Sequence, residues 1–201
     1  MSQNRNLVKR LNPEGFTLVE IIVAGAILIL ILGGIMHIFS QFQRGYSKGE
    51  ASVILLQEGG VFLGLLRQDL VNAIQDPSIK PDQWQKSILS TPKSLIIHRF
   101  KDRQGKTEAV EYKYETTPGE SGSITRFTNG KQDRRLVKKH ITGLEWNVES
   151  ALYPGIGSPV KQIWVNLDAE LSRTGKGGTS AVPFHIHTKL FPTRLNQLLN
   201  R

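Results

Sequence analysis

The chain has 201 residues, of which 39% are hydrophobic and 21% charged, an ordinary globular composition that argues against wholesale disorder. Its formal net charge of +9 suits an anionic partner such as nucleic acid, anionic lipid or an acidic protein, without choosing among them. The absence of cysteine excludes disulfides, thiol catalysis and Cys-ligated metal sites.

A basic leader precedes a long apolar run. Residues 1–15 include Lys9 and Arg10, and residues 16–39 are long enough for the roughly 20 residues that cross a bilayer core. A secretory signal would have an apolar core of about 7–15 residues followed by a small-residue cleavage site, which this run lacks. A plain signal anchor remains the alternative. Because bases precede the run, we expect the N-terminus in the cytoplasm and the later residues outside.

The residues between leader and run read Gly-Phe-Thr-Leu-Val-Glu, from Gly15 to Glu20. This hexad, with its basic leader and apolar run, resembles the prepilin-type signal of type IV pilins and of type II secretion pseudopilins. The resemblance implies that a membrane-embedded aspartyl peptidase cuts between Gly15 and Phe16 and N-methylates Phe16. It also implies that residues 16–39 are kept, first as the membrane anchor and then as the fibre core.

Glu20 is an acid at the start of the apolar run. Burying a carboxylate there costs on the order of 2–3 kcal/mol, so it needs a partner or an interfacial position. The resemblance implies that Glu20 pairs with the methylated N-terminus of the neighbouring subunit and sets the register of assembly. The alternative is an interfacial carboxylate favoured by the helix dipole.

Residues 40–76 have apolar residues at three- and four-residue spacings, which predicts an amphipathic continuation of the helix to about residue 75. Asp76-Pro77 supplies the stop signal, and Asp69 is assigned to the polar face. Gly33 and Gly34 favour either close helix packing or local unwinding. The predicted core stripe is Ile38, Phe42, Val53, Leu56, Phe62, Leu63, Leu66, Leu70 and Ile74.

Residues 77–201 form the predicted exported β-rich domain, because the hydrophobic period changes from 3.6 to 2. Asn129-Gly130 and residues 102–105 are hairpin signals, and residues 172–180 are a predicted loop. The fold class is α+β and pilin-like, with a mostly antiparallel sheet packed on the C-terminal half of a long N-terminal spine helix. The predicted strands are residues 94–101, 107–115, 123–128, 135–141, 143–149, 160–171 and 182–191.

Residues 56–74 resemble a smaller group of proteins within that superfamily. Their Leu-Gln pair and their Arg-x-Asp-Leu ending (residues 67–70) look like the spine helix of J-type minor pseudopilins and W-type minor pilins. Residues 143–148 and 158–167 also resemble a strand–loop–strand of those proteins. The resemblance implies a minor subunit at the tip of a type II secretion pseudopilus, assisting protein export. The alternative is a minor pilin of a type IV pilus or a DNA-uptake system.

Catalytic and metal sites are not expected. His185 and His187 share a strand face and could bind zinc or copper, but no third ligand is near in sequence. Residues 173–179 are rich in glycine yet lack the phosphate-loop spacing. No nucleophile–base or paired-carboxylate pattern is found, so we predict no enzyme, no cofactor and no metal.

The expected partners follow from the resemblance: prepilin peptidase, other minor and major subunits, the inner-membrane assembly platform and membrane lipid. Nucleic acid is not expected, because Phe127 is the one aromatic residue in the most basic stretch and a solvated or inter-subunit role suits these bases better. We expect a single-pass inner-membrane protein with an exported C-terminal domain. The bases are Arg126, Lys131, Arg134, Arg135, Lys138 and Lys139.

Overall fold

The computed structural model describes residues 16–101, 105–118, 120–175 and 179–200. The chain divides into two compact units, Met1–Gly45 and Tyr46–Arg201. The α+β class is confirmed, since one long helix precedes a seven-stranded antiparallel sheet. The elements are α1 (Leu18–Val71), a short 3-10 helix (Pro81–Lys86), β1 (Ile88–Thr91), β2 (Ser94–Phe100), β3 (Thr107–Glu115), β4 (Gly122–Thr128), β5 (Lys131–Tyr153), β6 (Val160–Gly175), β7 (Thr179–Leu190) and α2 (Thr193–Leu199).

The part of α1 in the first unit is exposed, and between Ile21 and Met36 it is apolar throughout. No described residue from position 16 to position 45 is buried, and Leu30 is 76% exposed. Near its N-terminus α1 is long and apolar enough to cross a membrane. The expected membrane-spanning capacity of this segment is therefore present.

The part of α1 in the second unit buries one stripe against the sheet. Phe62, Leu66 and Leu70 were expected in that stripe and are buried, whereas Val53 and Leu56 are 52% and 54% exposed, contrary to the prediction. The sheet covers one side of α1, and at 100° per residue these two lie on the other side. The buried residues are Ser47, Ala51, Leu55, Gly59, Phe62, Leu66, Asp69 and Leu70.

α1 ends at Val71, four residues before the predicted end. The chain leaves the helix because its backbone joins β2: Ala73 forms a bridge with Arg99, and the Ile74 N–H donates to the His98 carbonyl at 2.8 Å. The Asp76-Pro77 stop signal therefore falls in a turn after the helix has ended.

The sheet is a meander in which each strand pairs with the next, in the order β1 to β7. Asn129 and Gly130 have φ of 51° and 77°, the positive pair that a type I′ turn needs, and the predicted hairpin between β4 and β5 is confirmed. β2 and β3 pair antiparallel, with Phe100 opposite Thr107, and residues 102–104 of the hairpin predicted between them lie outside the described part of the chain.

The predicted elements of the β domain differ from the structure in four places. β5 is one strand of 23 residues where two were predicted, because pairing with β6 continues past an irregularity between Ile141 and Gly143. β6 and β7 extend into the predicted loop at 172–180, where Gly175 pairs with Thr179. β1 was not predicted as a strand, and α2 was not predicted as a helix.

Candidate assembly site

α1 begins with a reciprocal cap between Thr17 and Glu20. The Thr17 N–H and hydroxyl each donate to Glu20 Oε2 at 2.9 Å, and the Glu20 N–H donates to Thr17 Oγ1 at 3.3 Å. This is the capping box that a Thr-x-x-Glu sequence favours, and it satisfies backbone donors that the first helical turn leaves open. Glu20 therefore has a local role in starting α1.

The predicted processing residues are only partly described. Phe16 is 83% exposed and lies just before α1. Gly15, Lys9 and Arg10 lie outside the described residues, so the predicted cut and the leader charges stay predictions. The pairing of Glu20 with a neighbouring subunit also stays a prediction, and Glu20 is exposed within this chain.

Asp69, at the buried end of α1, is the centre of an ionic network. Its side chain is fully buried. Its Oδ1 accepts from Arg99 Nη1 at 2.5 Å and from Arg126 Nη2 at 3.3 Å. Its Oδ2 accepts from Tyr112 Oη at 2.5 Å and from Arg126 Nε at 2.9 Å. One carboxylate thus ties α1 to three strands, β2, β3 and β4.

A second set of side chains accepts the other hydrogen bonds of Arg99 and Arg126. Arg99 Nε and Nη2 donate to Glu108 Oε1 at 2.8 and 2.5 Å. Arg126 Nη1 donates to Thr128 Oγ1 at 3.1 Å and to Asp133. Because buried charges need both a counter-charge and filled hydrogen-bond positions, this outer set makes the burial of Asp69 possible.

The contacts within the network shift the pKa values of two of its members, Tyr112 and Arg126. Burial, followed by the charge of Asp69 and the hydrogen bond to it, raises the pKa of Tyr112 well above the usual value for a phenol. Burial alone would lower the pKa of Arg126, but the hydrogen bond and charge of Asp69 outweigh it and raise that pKa. Tyr112 is therefore a neutral donor and Arg126 a fixed cation, the states in which the contacts with Asp69 are strongest.

A second tie joins α1 to an irregular segment of β5. Glu58 Oε2 accepts the backbone N–H of Lys138 at 3.2 Å and lies 2.8 Å from His140 Nδ1. Lys139 between them has φ of 54°, and β4 pairs with β5 at Val137 and again at Ile141. The three residues between those pairs bulge out of the ladder, and Glu58 satisfies one of the freed N–H groups.

The residues considered for metal or phosphate chemistry have ordinary partners. His187 Nδ1 lies 3.2 Å from Asp168, and His185 Nε2 lies 3.9 Å from Glu170, each across the β6–β7 pair. No group of three or more possible metal ligands occurs among the described residues. Of the glycine-rich residues 173–179, Gly175 pairs with Thr179 across β6 and β7, and 176–178 lie outside the described residues.

The basic stretch divides into an exposed part and a buried base. Arg126 is 5% exposed and belongs to the Asp69 network, so grouping it with possible DNA-binding bases is wrong. Lys139 Nζ lies 3.6 Å from Glu120 Oε2. The exposed bases along β5 are Lys131, Arg134, Arg135, Lys138 and Lys139.

Sequence reasoning missed the role of Asp69. The partners of this carboxylate lie 30, 43 and 57 positions away, beyond any local pattern. One local signal existed: Asp69 falls at helical spacing within a buried stripe, three residues after Leu66 and directly before Leu70. No protein-family model, curated protein or solved structure matches the chain.

Proposed function

We propose that the chain is a minor subunit of a pilus-like fibre, assembled at the tip of a type II secretion pseudopilus and assisting protein export. One observation carries this proposal. Within α1, an exposed apolar segment precedes a segment that packs under an antiparallel sheet. An apolar surface on every side of a helix needs lipid or other helices around it, so an anchor that becomes a fibre core suits this segment.

Glu20 supplies the register of assembly in this proposal. Its carboxylate is the one charged group in the first 18 residues of α1, where burial in lipid or among helices is costly. The capping box with Thr17 offsets part of that cost. The positively charged, N-methylated amine of Phe16 in a neighbouring subunit would offset more of the burial cost. The carboxylate and this amine can pair only at one axial displacement of the two subunits, so their pairing fixes that displacement.

In this proposal the Asp69 network transmits force between α1 and the sheet. Because α1 holds the subunit in the fibre and the sheet carries the outward-facing surface, force on either must pass through their contact. Four charge-assisted or short hydrogen bonds converge on Asp69, in addition to the apolar contacts of Phe62 and Leu66. We infer that this network keeps the sheet fixed to α1 during assembly.

A second candidate is a minor pilin of a type IV pilus or a DNA-uptake system. The exposed bases along β5, among them Arg134 and Arg135, favour it because they form a cationic strand edge. A DNA-binding subunit would retain DNA at low salt, and reversing the charge of Arg134, Arg135, Lys138 and Lys139 would abolish that retention. No retention at low salt by the unaltered chain dismisses the DNA-binding role.

Processing in cells tests the main proposal. The full chain is expressed with and without a prepilin peptidase, and its mass is compared between the two strains. The proposal expects loss of residues 1–15 only when the peptidase is present, and no loss for Gly15→Leu. A mass that is the same in both strains identifies a plain signal anchor instead.

A further inference from the structure

The far end of the β5–β6 pair is a two-stranded ribbon with an edge on each side. β4 pairs with β5 only as far as Ile141, and β7 pairs with β6 only from Val165 onward. Between those limits and the closing pair of Tyr153 with Val160, no described strand pairs with either side of the ribbon. β1 approaches β5 farther back, where the Trp146 indole N–H donates to the Thr91 carbonyl at 2.5 Å. Strand edges carry unpaired N–H and C=O groups, so each side of the ribbon needs a partner or water.

The β6 edge of this ribbon is capped by α2. Asn196 Oδ1 accepts the Ile163 N–H at 2.8 Å, and Asn196 Nδ2 donates to the Ile163 carbonyl at 3.0 Å. Asn200 does the same for Lys161, at 2.7 and 2.8 Å. Each side-chain amide takes the place of one residue of a neighbouring strand, and buried Leu195 anchors α2 beside it.

These caps reveal the orientation of the β5 backbone. In an antiparallel pair, residues that do not exchange hydrogen bonds with each other both turn their N–H and C=O outward. Ile163 and Lys161 turn theirs to α2, so their register partners Ser150 and Leu152 turn theirs to the opposite edge. Among the described residues, nothing bonds to those backbone groups of Ser150 and Leu152.

The segment that closes this ribbon is uncharged and its turn is preformed, and the nearest charged residues are Glu149, before Ser150, and Lys161, opposite Leu152. Residues 150–160 contain no charged side chain in a chain of net charge +9. Leu152 is 59% exposed. In the connecting loop, Gly157 has φ of +94° and a Cβ on Gly155 would lie 2.3 Å from the Ser158 carbonyl, so the turn is built around these glycines. A preformed edge loses little freedom when a partner docks.

We propose that the β5 edge at Ser150 and Leu152 is a docking site for an extended, uncharged strand of a different fibre subunit, which adds to the sheet beside β5. Alternating outward N–H and C=O groups fit an extended backbone, and the lack of charge suits an apolar or hydroxyl-bearing strand. The inference rests on the proposed function only for the identity of the partner. It gives the β domain a defined contact with its neighbour.

The test uses a peptide as the stand-in strand. The full chain in detergent micelles is mixed with acetyl-Thr-Val-Thr-Val-Thr-Val-Thr-amide, and amide exchange is followed by NMR. Exchange of the Ser150 and Leu152 amides slows at least tenfold at saturating peptide, and a peptide N-methylated at alternate residues has no effect.

Two variants separate strand addition from apolar adhesion. Ser150→Pro removes an outward-facing N–H without removing a β6 bond, so the fold and its tryptophan fluorescence persist while peptide protection of the Leu152 amide is lost. If that variant unfolds, Leu152→Lys serves as a charged edge block in its place. The control Ile156→Lys, at the fully exposed loop apex, keeps the protection.

The proposal is overturned by unchanged exchange with the peptide, by equal protection from the methylated peptide, or by loss of protection in Ile156→Lys. Protection that is present without peptide and disappears on dilution identifies a second copy as the occupant and also overturns it. Cleavage after Gly15 does not involve this edge, so the Ser150→Pro chain is still processed, and failure here leaves the proposed function untouched.

Discussion

Replacing Asp69 with asparagine removes the central negative charge of the buried network and preserves its shape. The four hydrogen bonds that Asp69 accepts come from two guanidinium groups and a phenol, and an asparagine amide must turn its NH₂ toward at least one of these donors. Arg99 then keeps Glu108, and Arg126 keeps Asp133 and Thr128, so neither cation is left without an acceptor.

The acceptors that Arg99 and Arg126 keep limit the loss of unfolding free energy expected for Asp69→Asn. Removing one partner of a buried ion pair costs about 3–5 kcal/mol, and the remaining partners of the two arginines place Asp69→Asn near the lower end, at about 3 kcal/mol of unfolding free energy. The same change at exposed Asp82, in the short 3-10 helix, costs less than about 0.5 kcal/mol.

Urea unfolding of the full chain in detergent measures this difference. All three tryptophans, Trp84, Trp146 and Trp164, lie in the unit that contains the network, so their fluorescence reports its unfolding. An Asp69→Asn midpoint indistinguishable from that of Asp82→Asn refutes the reasoning, because it means that the buried charge contributes no net stability.

Glu20→Gln keeps a capping side chain but not the charge, so the chain is cleaved normally and its incorporation into fibres falls at least tenfold; unchanged incorporation by immunoblot of sheared fibres refutes the charge pairing. Gly60 faces open space, so Gly60→Ala raises the unfolding free energy by about 0.5–1 kcal/mol. In Gly59→Ala the new Cβ lies 2.9 Å from Phe184 Cε1 and offsets that gain by about 1 kcal/mol; equal urea midpoints contradict this packing. The raised pKa of Tyr112 gives stability that is fully present below about pH 10 and is lost as pH rises through the folded pKa, so the advantage over Tyr112→Phe shrinks in strong alkali. Reversible ionisation of Tyr112 near pH 10, measured as tyrosinate absorbance at 295 nm, contradicts the raised pKa.

Local patterns predicted the features that depend on local physics. The apolar run, the Asn129-Gly130 turn and the alternating strands β2, β3 and β4 all have short-range signals. α2 has none: it is seven residues long, its Pro192 N-cap makes no side-chain hydrogen bond, and its position depends on the buried side chain of Leu195. A helix this short is stable only through such tertiary contacts.

The faces of α1 were harder to predict than its existence. Because α1 is apolar or glycine-rich on more than one side, Leu55 and Leu56 are equally plausible core residues by spacing, and the position of the sheet decides that Leu55 is buried. Asp69 was assigned to the polar face because spacing along the helix does not show which side the sheet covers. Its burial depends on arginines from two strands that lie far away in sequence, which no short window contains.

Tandem mass spectrometry of the N-terminal peptide of the mature chain tests whether the chain is processed as a prepilin. We expect a peptide that begins at N-methylated Phe16 and continues through Glu20 into the retained apolar segment. A chain that still begins at Met1 contradicts it, and so does one that begins beyond residue 39 after removal of the whole apolar run.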